Sequence, residues 1–252
     1  MTLQLTTAIS DGIKRTLTLT GGVAFALLAA LQFLSLASIN TVLAAWLPPQ
    51  VTETLGVMLP ISGAVAGALF AATALLTAVY FVIVARAFVR PQSELSTFPP
   101  SLYTRRMSRA TLSMFVGGIF VAFAVTIGSV FLILPGIFLA ACFIFFIFAV
   151  GVENRGVLGA LKRSWGLARG HRLKLGVFVV SLGVLGMLVS LPSTIFQAAG
   201  EPLIGDLITV VANSIVFVFV YGIMAAIYVQ LQNEHAPSRG SQPTGNASTT
   251  TL

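Results

Sequence analysis

A chain of 252 residues with 57% hydrophobic and only 8% charged residues is not an ordinary water-soluble domain, in which about a quarter of residues are charged. The composition reads as an all-α, polytopic integral membrane protein. The net charge of +7 does not imply nucleic-acid binding, because the Lys and Arg residues cluster beside long apolar runs, the bias of inner-side membrane loops.

Residues 1–17 place Leu5, Ile9, Ile13 and Leu17 at spacings of four, with Asp11, Lys14 and Arg15 elsewhere on the wheel. This pattern predicts a short interfacial helix in a cytoplasmic N-terminal segment. The first span covers about residues 19–40 and can extend to Trp46 as an interface anchor. Lys14 and Arg15 precede it, but the apolar run over residues 21–46 exceeds the roughly 7 to 15 residues of a signal-peptide core, so an uncleaved span is expected.

The connection after Trp46 holds three prolines and no Lys or Arg. The second span, about residues 61–85, carries Gly63 and Gly67 in a G-x-x-x-G spacing beside Ala64, Ala68 and Ala72. Small residues let helix backbones approach closely in lipid; the expected contact is intramolecular first and between copies second. Residues 86–109 form a basic loop with Arg86, Arg90, Arg105, Arg106 and Arg109 against Glu94, interrupted by prolines 91, 99 and 100.

The third and fourth spans, about residues 110–132 and 136–152, are expected to form a hairpin turning at Leu134-Pro135-Gly136. The phenylalanines at 138, 143, 145, 146 and 148 go round the fourth span, which points to lipid exposure as well as packing. A fifth span, about residues 173–191, is expected to end at Pro192, with Gly176, Gly183 and Gly186 as close-packing positions. Asp206 is expected to cap or begin the sixth span, which runs to about residue 230. The membrane domain is thus residues 18–231, and residues 232–252, without apolar periodicity, are expected to be a disordered cytoplasmic tail.

Residues 153–174 are neither a span nor a plain loop. On a helical wheel Leu167, Ala160, Ser164, Val157, Ala168, Leu161, Trp165 and Leu158 fill one half, and Arg169, Lys162, Gly166, Gly159 and Arg163 much of the other. Such a helix either lies in the interface with its basic stripe toward anionic lipid, or connects spans while packed on the inner face of the bundle. Glu153 stands just before it and is expected to favour its dipole or to pair with Arg155 or an arginine of the 86–109 loop.

With the N-terminus inside and six spans, all 14 Lys and Arg residues fall on one side, so both termini are expected in the cytoplasm of a cell-membrane protein. All 11 prolines are expected at loops or helix ends. Asn246-Ala-Ser then stays on the cytoplasmic side, unglycosylated.

Chemistry is sparse. No ionisable residue lies in the middle of a predicted span, which lowers the case for ion or proton transport. Gln32, Ser35, Thr73, Thr77, Thr126, Ser181, Asn213 and Ser214 are expected to hydrogen-bond between helices. The single cysteine, Cys142, sits in an apolar run, and His171 and His235 lack neighbours at metal-ligand spacing. No metalloprotease, nucleophile-elbow or phosphate-loop motif is present, so neither catalysis nor a cofactor is expected.

The run from Leu134-Pro135-Gly136 through Glu153, then Gly159-Ala160-Leu161-Lys162-Arg163-Ser164-Trp165 and Leu167-Ala168-Arg169-Gly170, resembles a family of uncharacterised prokaryotic membrane proteins. It is similar to the membrane region attached to some glycerophosphoryl diester phosphodiesterases, and closest to stand-alone archaeal versions. The resemblance implies the span pattern and no activity, since the diesterase chemistry of those relatives belongs to a separate soluble domain with histidine and acidic metal ligands, for which neither room nor residues are expected in this sequence. The expected function is that of a non-enzymatic membrane component whose basic inner face contacts anionic lipid headgroups or a membrane protein partner. Arg105, Arg106, Arg109, Lys162, Arg163, Trp165 and Arg169 are the candidate contacts. The alternative is a small permease or lipid-handling transporter with a groove near Gln32 and Asn213.

Overall fold

In hydrocarbon every backbone N–H and C=O must find its partner within the segment, so apolar runs of this length form helices. The computed structural model describes residues 4–52 and 54–235. Their helices in order are α1 (Leu5–Thr16), α2 (Leu19–Ala44), the short α3 (Pro49–Thr52), α4 (Gly63–Phe88), the short α5 (Ser101–Thr104), α6 (Met107–Phe131), α7 (Ile133–Phe143), α8 (Phe146–Gly151), α9 (Val157–Ala168), α10 (Arg172–Ala198) and α11 (Pro202–His235). Among these residues six segments are long and apolar enough to cross a membrane: α2, α4, α6, α7 with α8, α10 and α11. The protein is an all-α, polytopic membrane protein.

Local sequence explains the starts. Thr18 and Ser62 cap α2 and α4 by accepting from the N–H groups of Gly21 and Val65. Pro202 opens α11, where a missing N–H costs nothing. The α6–α7 turn falls at Leu132, whose extended backbone (φ −160°, ψ 135°) breaks the helix, rather than at Leu134-Pro135-Gly136. Pro135 instead sits in the first turn of α7, where its lost donor is again harmless. Gly136 serves packing, since a Cβ there would strike the Ser129 backbone across the hairpin.

Two other boundaries differ from the sequence expectation. Pro192 lies inside α10; the hydroxyls of Ser190 and Thr194 bond the carbonyls of Met187 and Ser190 around it, the kind of local rearrangement that lets membrane helices carry proline. The sixth span continues to His235, so the first four residues of the expected tail are helical, and its residues 236–252, including Asn246, lie outside the described residues.

Close approach is made by small residues, but not always the expected ones. Gly63 of α4 faces Ala45 at the end of α2, and the Tyr80 hydroxyl donates to Ala24 O at 3.1 Å, so the G-x-x-x-G face packs within the chain. Ala64, Ala68 and Ala72 are exposed. Helix α1 docks on α11 through Ala8, Gly12 and Thr16, with Gly12 against the Ile223 backbone, while Ile9, Ile13 and Leu17 face outward. Gly176, Gly183 and Gly186 of α10 have open space where a side chain would stand, so they are not packing positions. The hydroxyls of Thr73, Thr77, Ser181 and Ser214 bond carbonyls four residues back in their own helices, a local alternative that removes them as interhelical glue.

The main core joins Phe88, Phe145, Phe148, Leu167, Leu175, Tyr228 and Leu231. Phe145, Phe146 and Phe148 are buried, whereas Phe138 is 40% exposed, so the phenylalanines of the fourth span serve packing and periphery alike.

Candidate functional site at the basic end of the bundle

The three basic segments meet at one end. The Arg15 guanidinium donates to Phe88 O and Arg90 O, both at 2.6 Å. Arg86, buried at the end of α4, donates to Gly151 O (2.7 Å), Leu102 O (2.9 Å), Arg105 O (2.8 Å) and Asn154 Oδ1 (3.0 Å). These acceptors belong to the α5 region, the end of α8 and the loop after it, so one guanidinium ties both basic connections to α4. Asn154 adopts a left-handed backbone (φ 53°), a conformation asparagine tolerates better than most residues.

The fourth span is broken. Helix α7 ends at Phe143 and α8 begins at Phe146, where one continuous helix was expected. Ser164 of α9 mends the gap: its hydroxyl accepts from Phe145 N–H at 3.2 Å and donates to Cys142 O at 2.8 Å. The amphipathic helix is therefore docked into the bundle, burying Ala160, Leu161, Ser164, Leu167 and Ala168. The buried stripe is narrower than the apolar half of the wheel, since Leu158 is 74% and Trp165 38% exposed.

Glu153 is the hub of this docking. Its carboxylate accepts from Arg155 (2.5 Å), Arg163 (2.8 Å), the Tyr228 hydroxyl (2.8 Å) and the Gln232 amide (3.3 Å). Burial favours its neutral form, but hydrogen bonds from Arg163, Tyr228 and Arg155 outweigh that and hold it below the ordinary carboxylate range. The expected pairing with Arg155 is present; the other arginine comes from α9 itself and not from the 86–109 loop.

The candidate contact residues therefore separate. Arg105, Arg106, Arg109, Lys162 and Arg169 are exposed and pair with no carboxylate among the described residues. Arg106, the residue before α6, has a left-handed conformation (φ 45°). Arg163 is turned inward onto Glu153. Trp165 lies against Phe138 and Phe143, with ring centroids 5.7 and 6.0 Å away, and the Arg172 guanidinium stands 4.6 Å from its ring.

Sequence reasoning missed Arg86, Asn154, Arg172, Tyr228 and Gln232 as structural partners. The Tyr228–Gln232 pair, four apart near the end of a span and bonded at 2.7 Å, carried a legible signal, as did Ser164, the one hydroxyl on a buried apolar stripe.

At the opposite end Asp206 accepts from Val57 N–H at 3.1 Å and lies 3.5 Å from the Asn40 amide, which also donates to Val57 O at 3.1 Å. It lies one turn inside α11 and is buried, so it fastens the 45–62 connection rather than capping its helix. Among the described residues no group of His, Cys, Asp and Glu is arranged to hold a metal.

The fold and this site define a class: a polytopic α-helical membrane protein whose basic side chains, among the described residues, are gathered at one end of the bundle. Residues 3–231 match the domain of unknown function DUF7847, and the chain belongs to that family. No curated protein and no solved structure matches it.

Proposed function

We propose that this protein is a non-enzymatic component of the cell membrane, with both termini cytoplasmic, whose basic inner face engages anionic lipid headgroups and presents a surface to a membrane partner. The observation that carries the reading is the set of exposed cations, Arg105, Arg106, Arg109, Lys162 and Arg169, which have no carboxylate partner among the described residues. Each basic residue near an anionic surface contributes about 1 kcal/mol. The charge distribution over the loops supports the cytoplasmic placement. The resemblance to the membrane region of the diesterase relatives agrees with a membrane role that needs no catalytic residues. Gln32 and Asn213 line neither the groove between α2 and α4 nor the one between α7 and α10.

The test is lipid enrichment around the full-length protein reconstituted in mixed phosphatidylcholine and phosphatidylglycerol. Changing the five exposed cations together to Gln is expected to abolish the preference for phosphatidylglycerol in the co-purified shell. An unchanged preference refutes the reading.

A further inference from the structure

A groove between α7 and α10, about 490 Å³ in volume, is walled by Leu134, Ile137, Val177 and Val180 and has Arg172 at one end. The Arg172 guanidinium stands 4.6 Å from the Trp165 ring and 5.2 Å from that of Phe138. Stacking of this kind holds a guanidinium in place while leaving its donors available. Among the described residues its buried Nε has no hydrogen-bond partner and no carboxylate pairs with it.

Arg172 is also the first residue of α10, a helix of 27 residues whose N-terminus has no side-chain cap. The orphan N–H groups of that turn add to the positive potential. Beyond it, Gly176 opens the groove, since a Cβ there would meet nothing within 4 Å. The lining continues along α10 to Ser181, nine residues on, which is about 13 Å. The hydrocarbon depth of one leaflet, half of about 30 Å, is similar. The apolar groove between α2 and α4 has no charged lining residue.

We propose that the α7–α10 groove holds one anionic phospholipid from the leaflet at the basic end, with its phosphate on Arg172 and the first turn of α10 and one acyl chain along Gly176 to Ser181. This site rests on the reading of the basic face as lipid-engaging, and sharpens it from a diffuse surface to a stoichiometric position.

The experiment is native mass spectrometry of the full-length protein titrated with phosphatidylglycerol or phosphatidylcholine. One phosphatidylglycerol is expected to be retained in preference. Arg172→Gln is expected to weaken it about tenfold, toward the phosphatidylcholine level, and Arg172→Lys to restore part of the loss. Gly176→Phe, which fills the groove from a helical position with open space, is expected to remove the retained lipid of either headgroup. Wild-type retention in both Arg172→Gln and Gly176→Phe overturns the site; loss in Gly176→Phe alone overturns the assignment of the phosphate to Arg172. If the variant lacking the five exposed cations keeps this single lipid while losing its shell preference, the site stands. If that variant keeps its shell preference while Arg172→Gln loses the lipid, the diffuse-surface reading falls and the site remains.

Discussion

Glu153→Gln tests the docking of α9 most directly. The carboxylate is 15% exposed and accepts four hydrogen bonds from α9, α11 and its own loop. The bridge to Arg155, whose side chain is 47% exposed, contributes at most about 1 kcal/mol. The bonds from Arg163 and Tyr228 are charge-assisted and less exposed, each worth about 1.5–3 kcal/mol, and the amide keeps an acceptor for only part of the set. The net loss is therefore about 2–3 kcal/mol, or a fall in Tm of about 4–12 °C for a chain of this size. The assay is the folded fraction recovered by size-exclusion chromatography after heating in detergent. Because the folded pKa of Glu153 is depressed, its stabilisation is fully present above the unfolded value of about 4.3 and is lost as pH falls through the lower folded value. The gap between wild type and variant is expected at pH 7 and should close in strong acid. A Tm within about 1 °C of wild type at pH 7, below what a loss of this size produces, or a gap that persists in acid, refutes the reasoning.

Ser164→Ala leaves Phe145 N–H and Cys142 O unpaired at the break in the fourth span and should cost about 1–3 kcal/mol. Cys142, the only cysteine and fully buried, reports the opening: its maleimide labelling should accelerate in the variant, and an unchanged rate counts against the Ser164 bridge. Asp206→Ala strips the acceptor from Val57 N–H, with an expected cost of about 1–3 kcal/mol. Faster proteolysis confined to the 45–62 connection is the readout. Gly12→Leu places a side chain where even a Cβ would lie 2.5 Å from Ile223 Cα, so α1 should be displaced and residues 1–17 cleaved sooner, while the remaining helices keep their far-ultraviolet signal. Equal cleavage would show that α1 is not held by that contact.

Much of the architecture was legible without coordinates. The six spans, the amphipathic helix after Glu153 and the concentration of Lys and Arg in alternate connections all follow from composition and period, which act over a few residues at a time. Hydrocarbon forces each apolar run to satisfy its own backbone, so span identity is a local property. The same locality explains the errors at Pro135 and Pro192. A proline signals a break on average, but whether its lost donor matters depends on its place in the turn and on nearby hydroxyls.

What joins the spans was decided only by the tertiary structure. Glu153 finds Tyr228 75 residues away; Ser164 closes a gap between Phe143 and Phe146 that no feature of the fourth span announces. Arg163 and Arg169 look alike on the wheel, yet Arg163 turns onto Glu153 and Arg169 stays exposed. Arg172 had no role in the sequence pattern and gained one when Trp165 and Phe138 were brought to its two sides. These roles rest on distances between helices, and period and charge along one helix carry no information about which side chains a neighbouring helix will set against it.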